Sequence, residues 1–168
     1  MTENQAVSRV QQAAEAVQEW FLETIPEGLQ ETKIAYAPRN ALSDYPSDRY
    51  AIFITPEDVS IFDKAHDKAK FTEVVTLTVS IVRRLENIED PTEEMHANMA
   101  FLQDIRDRLR FRNGKFPIQF QIVENTTSRP LYDREKLETE NTFFSYFLTE
   151  VAVNGTRTRQ VERVDQSL

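Results

Sequence analysis

The chain has 168 residues, 28 acidic against 20 basic for a net charge of −8, and carries 11 Phe, 5 Tyr and 1 Trp, enough apolar bulk for the core of one domain. It has no Cys, 2 His and 3 Gly, which excludes disulfides, thiolate zinc, iron–sulfur clusters and thiol nucleophiles, leaves almost nothing for a His-based metal site, and argues against a Gly-rich phosphate cradle. Met1 to Val10 lacks the basic and apolar stretches of a secretory signal, and no run approaches the roughly 20 apolar residues needed to cross a bilayer. The expectation is a soluble, intracellularly made protein with one domain over residues 1–168, a folded core over 4–157 and a flexible tail over 158–168.

In chain order, Val7, Val10, Ala14, Val17 and Phe21 recur at helical spacing and predict an amphipathic helix over about residues 4–24. Trp20 widens its buried stripe, Glu15, Glu19 and Glu23 form an acidic ridge, and Pro26 and Gly28 end it. A long connection to Tyr50 holds a short strand around Thr32 to Tyr36. Tyr50 to Thr55 reads as a strand stopped by Pro56, and Glu57 to Lys70 as a charged loop. Phe71 to Leu85 alternates with period two: Phe71, Val75, Leu77, Val79, Ile81 and Leu85 on one face, and Thr72, Thr76, Thr78, Ser80 and Arg84 on the other.

Asp90-Pro91-Thr92-Glu93 is a helix start, with Asp90 as cap, Pro91 in the first turn and Glu93 completing a capping box. Met95, Met99, Leu102, Ile105 and Leu109 form the buried stripe of that helix, which Asn113-Gly114 ends. Phe116 to Ile122 predicts an edge strand because it contains Pro117. A polar loop through Glu140 leads to a last strand, Thr142 to Arg157. The pattern predicts an α+β fold: a mostly antiparallel sheet with two long strands, covered on one face by two helices.

Those two strands are too long for their domain. Fifteen residues at about 3.3 Å each span roughly 50 Å, whereas a chain of this size folds to a diameter near 40 Å. Either the strands bend at a bulge inside the fold or they project beyond it. The last strand is also apolar on both faces, with Phe144, Tyr146 and Leu148 on one side and Phe143, Phe147, Val151 and Val153 on the other. Such a strand is covered on both sides, either by loops of its own subunit or by a neighbouring subunit.

Residues with chemical potential are sparse. Asp63 to Asp67, with His66, reads as a solvated charged loop because Lys64, Lys68 and Lys70 compete for its carboxylates, and His96 borders a buried stripe. No carboxylates stand out as an acid–base pair, and Ser60, Ser80 and Ser145 lack a nucleophile-elbow context. Hence no catalytic residue, metal ligand, cofactor site or enzymatic activity is expected. Arg106 and Arg110 share one side of their helix, with Arg108 and Arg112 about 200° away, and Asp104 can pair with Arg108. That split, with the net charge of −8, argues against a DNA grip. Arg157, Arg159 and Arg163 form a small basic cluster, read either as a solubilising tail or as a docking arm for an acidic partner surface.

Taken together, residues 5–155 resemble the tail terminator (minor tail or neck) proteins of tailed bacteriophages. The resemblance lies in the N-terminal helix, the strand Tyr50-Ala51-Ile52-Phe53-Ile54-Thr55-Pro56 and the strand end Val79-Ser80-Ile81-Val82-Arg83-Arg84. It continues in the helix Met95 to Leu109 with its Asp104-Ile105-Arg106-Asp107-Arg108-Leu109 end, in Pro130-Leu131-Tyr132-Asp133, and in Phe143-Phe144-Ser145-Tyr146-Phe147. It implies a virion protein, assembled in the host cytoplasm into a homo-oligomeric ring, usually of six. The ring caps the tail tube, meets the head-side connector and lets DNA pass, without contact with a membrane. The expected subunit-contact residues are Phe71, Thr76, Thr78, Phe143, Phe144, Tyr146 and Phe147, with Arg157, Arg159 and Arg163 for partner docking. The competing expectation is a non-viral cytoplasmic α+β binding or adaptor module without catalysis.

Overall fold

The computed structural model describes residues 8–24, 29–34, 49–63, 70–111, 120–127 and 131–156. The first helix, α1 (Arg9–Thr24), begins at Arg9 because Ser8 caps it. The Ser8 Oγ accepts the Gln11 N–H at 3.1 Å, satisfying one of the donors left free at a helix start. Ala13, Ala14, Val17, Trp20 and Phe21 are buried and Val10 packs against them, which is the apolar stripe read from the sequence; Val7 lies outside the described residues.

Five strands form one sheet in the order β1-β2-β3-β5-β4: β1 (Leu29–Ile34), β2 (Tyr50–Asp63), β3 (Lys70–Arg84), β4 (Phe120–Thr127) and β5 (Thr142–Thr156). All neighbours are antiparallel except β1 and β2, which run parallel. The helix α2 (Thr92–Phe111) precedes β4, and a short α3 (Arg134–Glu140) precedes β5. The α+β class, the mainly antiparallel sheet with two long strands, and the two covering helices agree with the sequence expectation.

Three boundaries differ from it. Pro56 does not stop β2, and residues 57–63 continue the strand instead of forming a loop. The pairing with β3 shifts register between Pro56 and Asp58, a bulge of the kind that tolerates a residue without an N–H. Among the described residues, the pairing of β1 with β2 runs to Ile54, so Pro56 stands beyond that ladder. Second, residues 123–127 belong to β4 rather than to a loop, and β4 is an edge strand as expected. Third, α3 lies inside the segment read as a polar loop. Asp133 caps it by accepting the Lys136 N–H, and Asn141 ends it in the left-handed region at φ 50°, a conformation that Asn tolerates better than most residues. The expected helix end at Asn113-Gly114 and the tail over 158–168 fall outside the described residues.

The core lies between the helices and one sheet face. It is built from the stripe of α1, from Leu102, Ile105 and Leu109 of α2, and from Ile52, Ile54, Val75, Leu77, Val79, Ile81, Phe143, Phe147, Val151 and Val153 of the sheet. Every strand residue in this set obeys the period-two alternation of its own strand. The helix α1 lies against β1 and β2, and α2 against β4 and β5.

Candidate assembly surface

The two long strands pair with each other along their whole length. From Lys70 opposite Thr156 to Arg84 opposite Thr142, fifteen consecutive pairs of β3 and β5 keep one register without a shift. The sheet's bulges lie in β2 and β4, between Pro56 and Asp58 and between Ile122 and Glu124. Of the two alternatives open to the sequence, a break inside either long strand is therefore absent, and the pair forms a straight-registered ladder at the centre of the sheet.

That ladder sorts the β5 aromatics between two environments. Phe143 and Phe147 are 0% exposed under the helices, so both belong to the subunit core and drop out of the expected contact set. Phe144 and Tyr146 point to the opposite face with Leu148, and Tyr146 and Leu148 are 38% and 37% exposed. Beside them Ala51, Phe53 and Val82 form a second, smaller buried cluster against which Phe144 packs. The rings of Phe144 and Tyr146 are 6.5 Å apart and tilted by 52°. Among the described residues, neither α1 nor α2 covers this face. On it Ala51, Phe53 and Val82 are already buried, and Tyr146 and Leu148 are the exposed large apolar side chains among the described residues; a strand apolar on both sides requires cover on both.

Thr76 and Thr78 sit on the same face, half-buried, opposite Glu150 and Leu148 respectively. Phe71 lies near the far end of β3, opposite Gly155. Arg157, Arg159 and Arg163 lie outside the described residues. Leu148 and Lys136 belong to the surface, with Phe53 buried beneath it, and none of the three was singled out from sequence as a contact residue. Lys136 holds its Nζ 4.1 Å from the centroid of the Phe144 ring, a cation over a π face that depends on α3, a helix concealed in a polar segment.

The segment before β5 is tied to this surface. The Asp133 N–H donates to the Phe144 carbonyl at 2.9 Å, and the Ser145 hydroxyl donates to the Leu131 carbonyl. Leu85 closes the end of β3 by donating its N–H to the Asn141 carbonyl at 2.8 Å. The strand end that presents Phe144 and Tyr146 is thus braced by backbone bonds on both sides.

The remaining candidates are positioned for structure. Arg108 pairs with Asp104 at 2.9 Å, and Arg106 approaches Asp107 at 3.6 Å, consistent with a solvated helix flank rather than a phosphate-binding stripe. His96 is exposed, and His66 lies outside the described residues. Among the described residues, no three metal-ligating side chains converge, and no helix is long and apolar enough to cross a membrane. At the start of α2 it is Glu94, not Glu93, that reaches back to the preceding connection, accepting the N–H groups of Glu86 and Asn87 at 3.0 and 2.6 Å. The N–H of Asp90 goes instead to Asn87 Oδ1 at 3.1 Å. Asp90 itself accepts the Thr92 N–H, and hydrogen bonds from Thr92 hold its carboxyl below the usual range.

No family model and no curated protein matches the chain.

Proposed function

We propose that the chain is a structural subunit of a tailed-bacteriophage neck: a tail terminator that assembles into a ring, caps the finished tail tube and joins it to the head-side connector. DNA passes through the lumen, and the protein resides in the virion after assembly in the host cytoplasm. The observation that carries the reading is the unbroken β3–β5 ladder, in which β5 carries apolar side chains on both faces while α1 and α2 lie on one. Its other face presents Tyr146 and Leu148 to solvent. Covering that band with a second subunit removes apolar area from water at roughly 25 cal/mol per Å², and a head-to-tail contact repeated around an axis closes into a ring.

This role requires binding energy and shape rather than a reacting group, in keeping with a surface built of aromatic, aliphatic and hydroxyl side chains. A net charge of −8 suits the wall of a passage, because an acidic surface repels the phosphate backbone instead of gripping it. Arg157, Arg159 and Arg163 are the complementary feature, a basic arm for an acidic surface on the tube or connector.

Light scattering combined with electron microscopy tests the reading. The expected result is a closed ring of identical subunits with an open centre, formed as concentration rises or when the tube or connector partner is added. A protein that remains a monomer or a simple dimer in all these conditions belongs instead with the adaptor modules.

A further inference from the structure

We propose that the C-terminal arm, residues 157–168, folds back over the helix-free face of its own subunit and seats its arginines on the carboxylates of Asp58 and Glu150. Its release from that seat on assembly rests on the neck-ring reading; the seat itself does not. Thr76 stands between the two carboxylates in register, opposite Asp58 on β2 and Glu150 on β5, so all three share the helix-free face. Asp58 is exposed and Glu150 half-buried, and among the described residues no basic side chain pairs with either.

The sheet on either side of this row shows that something lies over it. Val74 and Ala152, a cross-strand pair two residues nearer the end of β5, are each 8% exposed. The helices α1 and α2 lie on the other face, and α3 stands at the Phe144 end, so no described element covers that pair. On the other side of the row, Thr55 is 5% exposed and its Oγ1 has no hydrogen-bond partner among the described residues. A buried apolar pair and a buried oxygen without a donor thus bracket the two carboxylates, and both require chain laid across this face.

Reach selects the arm. The strand β5 ends at Thr156, opposite Lys70, and Glu150 lies about 20 Å back along it. Arg157 to Arg163 spans about 23 Å when extended, enough for a short reversal that brings Val161 towards Val74 and Ala152 and the Arg163 guanidinium to the carboxylates. The exposed acidic residues Glu86, Glu89 and Asp90 follow Arg84 at the far end of β3, about 46 Å from Lys70 and beyond that reach. Residues 1–7 lead into α1, whose Arg9 is bonded to Glu73 on the opposite face. In an extended arm Arg159, Val161 and Arg163 share one side, so an apolar residue between two cations meets an apolar floor beside two anions. Arginine forks suit carboxylates in this way.

The chain has no Cys, so an introduced pair reports the arm alone. Ser60 is exposed and paired with Val74, and Ser60→Cys/Val161→Cys is expected to close an intramolecular disulfide in dilute monomer under mild oxidation. Adding Asp58→Arg/Glu150→Arg slows closure about tenfold, and adding Arg159→Glu/Arg163→Glu to that variant restores it. A closure rate unchanged by charge reversal overturns the carboxylate seat. Covalent dimers from a mixture of Ser60→Cys and Val161→Cys, without closure in the double variant, overturn the fold-back in favour of an arm exchanged between copies. Calcium or magnesium bound by the parent chain and lost in Glu150→Gln, again without closure, overturns it in favour of a cation site. Closure in a chain that never assembles upholds the contact and removes the ring reading, whereas rings formed by a chain that never closes do the reverse.

Discussion

Arg83 and Tyr50 meet across the β2–β3 ladder beneath the middle of α2. The Arg83 guanidinium donates to the Tyr50 hydroxyl at 3.2 Å, and its Cζ lies 5.1 Å from the centre of the Tyr50 ring. Tyr50 in turn donates to Asn98 Oδ1 at 2.7 Å and stacks on Phe101 at 3.7 Å. One tyrosine thus joins two strands and a helix by a hydrogen bond, a cation–π contact and a ring stack, which fixes how α2 sits on the sheet.

Removing only the hydroxyl isolates the hydrogen-bonded part of this junction. Tyr50→Phe keeps the stack but leaves Asn98 Oδ1 without its closest donor. A loss of about 1–2 kcal/mol is expected by denaturant unfolding at neutral pH. Tyr50→Ala, which also removes the ring, costs more, in the range of about 3–5 kcal/mol for a buried aromatic.

The same residue sets an alkaline limit. Burial is the main cause that raises the Tyr50 pKa above 10.0, partly offset by Arg83. The folded state therefore holds this proton after the unfolded chain has released it. Its contribution to stability is complete below the unfolded pKa and is lost as pH rises through the folded value. Melting temperature followed across the alkaline range is expected to fall less steeply in Tyr50→Phe than in the parent.

Core and face assignments separate by charge insertion. Leu102 is 4% exposed in the core cluster, so Leu102→Asp buries an unpaired carboxylate. Its cost of several kcal/mol is a large part of a stability of about 5–15 kcal/mol, and the variant is expected to be unfolded by circular dichroism. Met99 is only partly buried, so Met99→Asp is milder. Thr78→Lys, on the helix-free face, leaves the monomer folded while blocking assembly. Equal thermal loss for Leu102→Asp and Thr78→Lys contradicts the assignment.

The start of α2 distinguishes two neighbouring glutamates. Glu94→Gln weakens the two backbone bonds to Glu86 and Asn87 and costs about 1 kcal/mol, whereas Glu93→Gln, with its side chain exposed, is close to neutral. Thermal melts of the two single variants check this directly.

How far the sequence reveals this molecule depends on the range of the interaction involved. The alternation in Phe71 to Leu85 made β3 visible because a sheet covered by helices on one face imposes period two on its strands. The 3-and-4 spacing of Ala14, Val17 and Phe21 did the same for α1. The continuation of β2 past Pro56 was hidden because Glu57 and Asp58 read as a loop, although Val59 and Ile61 flank Ser60 at strand spacing. The short α3 offered only Asp133 as cap and Leu137 as its apolar contact, too little periodicity to stand out in seven residues. That Glu94 rather than Glu93 holds the Glu86 and Asn87 N–H groups depended on how the connection before α2 folds back, which sequence spacing does not encode. At the assembly surface, the two faces of β5 were legible from Phe143 to Leu148. The role of Lys136 was not, because tertiary structure alone brings its ammonium over the Phe144 ring.

Duplex DNA gives a further check. With a net charge of −8, and with Arg108 paired to Asp104, binding is expected to be no stronger than the non-specific range of about 10⁻⁴–10⁻⁶ M at physiological salt. Fluorescence anisotropy with a labelled duplex measures it. A submicromolar dissociation constant with a steep salt slope would mean that a basic stripe forms on the assembled or free protein.

The most direct test of the ring-subunit reading is a structure of the assembled particle by electron cryo-microscopy. It predicts a closed ring in which the helix-free face of the β3–β5 ladder, with Tyr146 and Leu148, is covered by the neighbouring subunit. A particle whose subunits touch only through loops, with Tyr146 and Leu148 still open to solvent, would contradict it.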